Sequence, residues 1–490
     1  MMYSSPFNLF ALIVISAWIP AILLMFLLMT PRRAVIASFV IGYLFLPELG
    51  IRFHTMPEIN KAAVTSLGVL LGSLFFDPLR LFTIRPRLLD LAWVCMPLFS
   101  IASSITNGLG IMDGLSNFLE LLLRWGFAYW IGRAYFTDWA AMRELAIGLI
   151  LGGLAYAPLC WWEIRMSPQL HGVIYGSLFE SFRSDNYLFG VQLFGFRPNV
   201  FLANGLSVTM FMGCSAVVAF WAWMSGSPRK LLGMPMGWIA FGLVVTTFFC
   251  KALGGTTLML AGIGALCLVK YWPKTRIPAL ILIIAAPTYM FIRTNTSWSG
   301  DFLVNAASVV SRTRGNSLDF RLENEDLLIG KAMQRPAFGW GGWARSHVYD
   351  IDNRDLTIVD GLWILLLGEF GVMGLAAFSI VATGASLSVW RRVPKKFWDD
   401  PACAAVVAIA MVVAMYMVDS LFNATFSPLA SLAVGATVTM AGLARTTFSQ
   451  RQMRQAGFPV VATVSPSPAR TPALVSSVKD LPYVYSPYRA

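Results

Sequence analysis

Between Arg312 and Gly374 the chain reads RTRGNSLDFRLENEDLLIGKAMQRPAFGWGGWARSHVYDIDNRDLTIVDGLWILLLGEFGVMG, a polar stretch that runs straight back into apolar sequence. It carries Arg321, Arg345, Arg354, Asp360 and Glu369. Ionised groups held beside hydrocarbon are costly unless they are paired or have a task. A guanidinium presents a planar fork to phosphate oxygens, and a carboxylate can accept a hydroxyl proton. The set is therefore equipped for a charged or sugar-bearing molecule.

Three shorter patterns sharpen that chemistry. In FGFRPNVFLANG, Arg197 and Asn199 stand at the mouth of an apolar run that starts near Val200. Pro198 suits the first turn of such a helix, where free N–H groups beside a guanidinium would attract an anion. A plain interfacial arginine fits the same spacing. SLDFRLENEDLLIGKAMQ predicts an amphipathic helix with Phe320, Leu327, Leu328 and Met333 on its apolar side. Arg321 and Glu325 lie four apart on it, so a surface ion pair competes with a phosphate grip for Arg321. RPAFGWGGWARS interleaves Gly339, Gly341 and Gly342 with Trp340 and Trp343. The glycines permit a tight backbone path, and the indoles suit either the membrane interface or the face of a sugar ring.

Asp360 stands where the chain re-enters apolar sequence and reads either as a helix cap or as a base. Glu369, nine residues on, would lie roughly 13 Å further along a helix, well inside the membrane. Gly368, Gly371 and Gly374 follow at intervals of three. They would let the helix break or a neighbour approach, dividing the long apolar run into a short re-entrant piece and a true span.

The elements that must position these residues are membrane helices. Of 490 residues 57% are hydrophobic and 13% charged, and apolar runs recur from Phe7 to Ala444. This predicts an all-α polytopic membrane protein and excludes a soluble multidomain one. At roughly 17–25 apolar residues per crossing, the spans fall near 7–29, 33–49, 62–78, 88–106, 115–132, 142–162, 200–223, 235–250, 254–271, 277–293, 359–390, 402–419 and 427–444, about 12–13 in all. The first reads as an anchor and not as a cleaved signal. The six cysteines show no CxxC spacing and read as small buried hydrophobes.

Lys and Arg concentrate in alternate connections, from Arg32 and Arg33 through Arg80, Arg85 and Arg87 to Arg445, Arg451 and Arg454. By the positive-inside rule those connections are cytoplasmic, and 164–199, 294–356 and 420–426 face outward. The net charge of +12 then needs no nucleic-acid partner. The loop 294–356 carries seven basic and eight acidic side chains, so charge does not oppose its translocation. The domain 1–444 includes that loop, and 445–490, rich in Pro, Ser, Thr and Val, reads as a disordered cytoplasmic tail.

Taken together, the motifs resemble the O-antigen ligase and polysaccharide polymerase superfamily of bacterial inner-membrane glycosyltransferases. The resemblance rests on Arg321 in the loop helix, the turn from Pro336 to Gly341, Asp360 followed by Glu369, Gly371 and Gly374, and the RPNVFLANG stretch. It implies transfer from a polyprenyl-diphosphate-linked saccharide to an acceptor glycan on the periplasmic side, alongside other polysaccharide export proteins. Arg197 and Arg321 would clamp the diphosphate, with Asn199, Arg345, Trp340 and Trp343 completing the substrate site. Asp360 would orient or deprotonate the acceptor hydroxyl, while Glu369, Gly339, Gly341 and Gly371 would support the re-entrant helix. Glu325 departs from the Trp that the family carries at that place; Asp360 stands where the ligase branch carries His-Asn, and this Asp variant favours polymerase over ligase. No metal or cofactor is implied, and His54, His171 and His347 are scattered. A lipid-linked oligosaccharide flippase is the alternative of another class.

Overall fold

The computed structural model describes residues 8–51, 57–176, 195–272, 275–296, 298–310, 312–342 and 344–455. It is an all-α membrane protein: among the described residues eight helices are long and apolar enough to cross a bilayer, and Lys61–Phe76, Met236–Phe249 and Ala404–Asp419 are shorter apolar helices. A helix occupies each of the thirteen stretches expected from the sequence, including the short Pro31–Phe45. The fifth is composite, with Ile111–Leu121 and Phe127–Tyr135 joined through a π-helical turn at Leu122–Gly126.

Polar side chains start several of these helices where the apolar runs begin. Asn60 accepts from the backbone of Ala62 and Ala63, Asp138 from Ala141, and Asn204 from Ser207, so N–H groups left over at a helix start are satisfied inside the chain. Gly205–Ser225 is central, with 89% of its apolar window buried, whereas Leu9–Leu28 is peripheral, with 28%. Ala404–Asp419 is buried along almost its whole length beside it. A helix that is apolar all round must be covered by other helices or by lipid.

The connections fall into two sets by their contacts. In the Lys/Arg-rich set, Arg32 pairs with Asp138, Lys270 with Asp399, and Arg143 reaches the Pro401 carbonyl. In the other set, Arg345 pairs with Asp113, Arg321 reaches the Phe422 carbonyl, and Phe196 donates to Ile164. The alternation read from charge is thus an alternation in space.

Three expectations about elements need correction. The helix expected from Val200 begins at Gly205, so Pro198 lies outside its first turn; the cap is Asn204. The last helix continues to Gln455, past the tail boundary read at 445, because its side chains stay compatible with helix beyond the apolar run. The remainder of that tail lies outside the described residues. Asp360 is not the cap of the long helix Leu362–Arg392, a position Gly361 takes.

Candidate functional site

The long helix Leu362–Arg392 is broken at Gly371, whose φ is +66° and ψ −168°. In an unbroken helix the carbonyls of Gly368 and Glu369 would accept from Val372 and Met373. Here they accept instead from Trp340 N–H at 2.8 Å and Gly341 N–H at 3.0 Å. Val372 and Met373 donate to the carbonyls of Pro336 at 2.7 Å and Ala337 at 3.3 Å. The turn from Pro336 to Gly341 therefore replaces two missing helical rungs, donor for donor and acceptor for acceptor. Ser103 Oγ donates to the Glu369 carbonyl at 2.9 Å, and Asn107 Nδ2 to that of Gly339 at 2.8 Å.

This close approach explains two of the glycines. A Cβ on Gly371 would lie 2.6 Å from the Pro336 carbonyl oxygen, and one on Gly339 2.6 Å from that of Gly368. Both residues also hold positive φ, which a side chain resists. The break that the sequence suggested is real, and its partner is the glycine turn.

At the start of the broken helix the structure brings Arg321 and Asp360 together. Arg321 Nε lies 3.3 Å from Asp360 Oδ2, and its Nη1 donates to the Phe422 carbonyl at 3.1 Å. The side chains are 27% and 36% exposed, so both remain open to a ligand. The expected Arg321–Glu325 surface pair does not form. Glu325 turns inward, accepting from Tyr289 Oη at 2.7 Å and Trp363 Nε1 at 3.3 Å, with Arg293 at 3.4 Å. Burial pushes the Glu325 carboxyl above its usual range, against the lowering effect of these partners.

The face of the loop helix Arg312–Ala332 changes accordingly. Leu322, Glu325, Leu328 and Ala332 are buried, while Phe320 and Leu327 are each 50% exposed. Counting only apolar residues misplaced the face, because a fully partnered carboxylate sits in the middle of the buried stripe.

Arg197 lies on a neighbouring connection. Its stem crosses the start of helix Gly205–Ser225 against Gly205, and Nη2 donates to the Lys251 carbonyl at 3.4 Å. Asn199, expected to touch substrate, is buried, and its N–H donates to Glu163 Oε2 at 2.8 Å. Glu163 also accepts from the N–H groups of Val200, Leu170 and Gln169. It organises the RPN turn, a role that a lone apolar-flanked glutamate did not announce in the sequence.

Arg345 is held by both oxygens of Asp113, at 2.9 and 3.2 Å. Trp340 is no open platform: its indole N–H donates to the Lys331 carbonyl at 2.8 Å, and Lys331 and Arg335 lie 3.9 and 4.4 Å from its ring centre. Trp343 lies outside the described residues. Arg354 belongs to an exposed turn closed by Asp350.

The Glu369 side chain makes no ion pair among the described residues. It lines a cavity of about 420 Å³ with Glu120, Arg124 and Asn117. A second cavity of about 410 Å³ adjoins it, sharing Glu58, Glu120 and Arg124, and extends to Lys61 and Thr425. Lys61 itself is committed, to Glu48 at 2.7 Å and to the carbonyls of Tyr43 and Phe201. Sequence reading missed this cavity because its residues come from four separate connections and helices.

No protein-family model matches the chain, and no curated protein matches it in sequence. A functional reading must therefore come from the site.

Proposed function

We propose that the chain transfers a glycosyl group from a polyprenyl-diphosphate-linked saccharide to a hydroxyl of an acceptor glycan, at the outer face of a bacterial inner membrane. The observation that carries this reading is the Arg321–Asp360 pair, open at the start of a broken helix. A phosphate-seeking cation and a proton acceptor then stand side by side.

The diphosphate competes with Asp360 for the Arg321 fork, with Arg197 supplying a second guanidinium from the neighbouring connection. As the bond from the sugar's anomeric carbon to the diphosphate breaks, negative charge grows on the leaving group, where guanidinium donors stabilise it. The carboxylate released from Arg321 takes the proton of the acceptor hydroxyl as the new glycosidic bond forms. Polyprenyl diphosphate departs. The arginines fill the role that a divalent cation plays elsewhere, and the Lys/Arg-rich connections face the cytoplasm.

The test is purified full-length protein in detergent with lipid-linked donor and saccharide acceptor, scoring glycosidic bond formation. Detergent removes the two sides of a membrane, so a flippase makes no product. Asp360→Asn keeps the shape and removes the proton acceptor, and is expected to slow the reaction by about 10²–10⁴-fold. A chelator is expected to leave the wild-type rate unchanged. A full rate from Asp360→Asn, or no product from the wild type, refutes the proposal. Growth of the acceptor into a chain marks a polymerase, and single transfer to a lipid marks a ligase.

A further inference from the structure

Three polar groups without a hydrogen-bond partner among the described residues line one cavity. The Arg124 guanidinium makes no hydrogen bond among the described residues and lies 4.9 Å from the Trp125 ring centre. The Asn117 amide nitrogen is buried and unpartnered. The Glu369 side chain faces Arg124 and makes no hydrogen bond. Buried polar groups in folded proteins are rarely left so; several converging on one cavity point to a ligand.

The backbone around them is shaped for the purpose. Arg124 sits in the five-residue π-helical turn Leu122–Gly126, a local insertion that re-aims side chains and recurs at functional sites. Glu369 immediately precedes the helix break, at Phe370 and Gly371, which the glycine turn holds in place. The two adjoining cavities, about 410 and 420 Å³, each fall within the range of small-molecule sites, about 300–1,000 Å³.

We propose that this double cavity is a saccharide-binding site in which Arg124, Asn117 and Glu369 hydrogen-bond the hydroxyls of a sugar. The chemistry selects a polyhydroxylated ligand. Among the described lining residues carboxylates outnumber cations, which disfavours an anion, while a guanidinium, an amide and carboxylates together offer both donors and acceptors to hydroxyl groups. Trp125 and Phe426, packed edge to face at 5.9 Å, supply apolar wall. The cavity also reaches Thr425 and Phe426, on the connection whose Phe422 carbonyl receives Arg321. Its occupant is accordingly assigned as the acceptor glycan, an assignment that rests on the transferase reading; the binding itself does not.

The test uses the full chain, wild type and the near-isosteric Glu369→Gln and Arg124→Lys, each checked for a single size-exclusion peak. The probes are end-labelled oligosaccharides from partial acid hydrolysis of the source organism's surface polysaccharide. Equilibrium binding to the wild type is expected, weakened roughly 10- to 100-fold in each variant, the loss expected of a hydrogen bond to a charged group. In the transfer assay the acceptor KM should rise by a similar factor while the donor KM stays put. Oligosaccharide bound equally by all three proteins, or by none, overturns the site. Product formation with an unchanged acceptor KM in both variants also overturns it and leaves the transferase reading standing. No product from any protein, with binding lost in the variants, refutes the transferase reading and leaves the saccharide site.

Discussion

Arg133–Asp90 and Arg321–Asp360 are the same chemical pair in two settings. In the first, the side chains are 2% and 6% exposed, and both Asp90 oxygens are fully engaged, by Arg133 at 2.8 Å each, by Tyr129 Oη at 2.5 Å and by the Arg87 N–H at 2.7 Å. Arg133 spends its remaining donors on Thr439 Oγ1 and the Arg85 carbonyl. In the second pair the side chains are 27% and 36% exposed, and among the described residues Arg321 also donates to the Phe422 carbonyl. A saturated buried pair has no capacity for a ligand and locks helices together, whereas an open pair contributes little to stability and can exchange partners.

That contrast can be broken at several points, ranked by expected cost to stability. Arg133→Met strands the Asp90 charge in the bundle and should cost about 3–5 kcal/mol, seen as loss of monodisperse protein after extraction. Normal accumulation of that variant would mean the sealed pair does not hold the fold. Gly371→Ala forces a side chain into a positive-φ position against the Pro336 carbonyl, at about 1–3 kcal/mol. The melting temperature should fall, and product with it, because Glu369 lies in the half-helix that begins at Leu362 and Asp360 just precedes it. An unaltered melt would show the turn and the break to be separable.

Arg321→Lys should change stability least, by less than about 1 kcal/mol, yet lose most transfer, since an ammonium cannot reproduce the fork. The comparison sharpens if melting is unchanged and product falls. It fails if both stay at wild-type levels, leaving Arg321 as a surface residue only.

Much of the architecture was legible because it follows from local sequence. Apolar run length located about thirteen stretches, and a helix occupies each of them. Even the break near Gly371 was readable, because three glycines in one apolar run relieve the same steric limit. Arg321 and Asp360 were both picked out for chemistry, and they do meet. Asn199, Trp340 and the apolar face of the loop helix were misassigned for one shared reason. Each has partners outside the motif that was read, Glu163 for Asn199, Lys331 and Arg335 for Trp340, and Arg293 and Tyr289 for the helix face, and they alter what the motif alone suggests. Asn117, Glu120 and Arg124 interrupt an otherwise apolar span, yet their place along the chain does not say what they face.

The sequence by itself determined the class of molecule, the order and rough limits of its helices, and the residue types able to bind phosphate or move a proton, since desolvation and backbone hydrogen bonding act on each segment alone. Only the tertiary structure decided which carboxylate each arginine meets, that the glycine turn completes the broken helix, and that Arg124, Asn117 and Glu369 surround a common space. The reason is physical: pairing and cavity formation depend on distances between segments well separated along the chain, and packing sets those distances where periodicity along the chain does not.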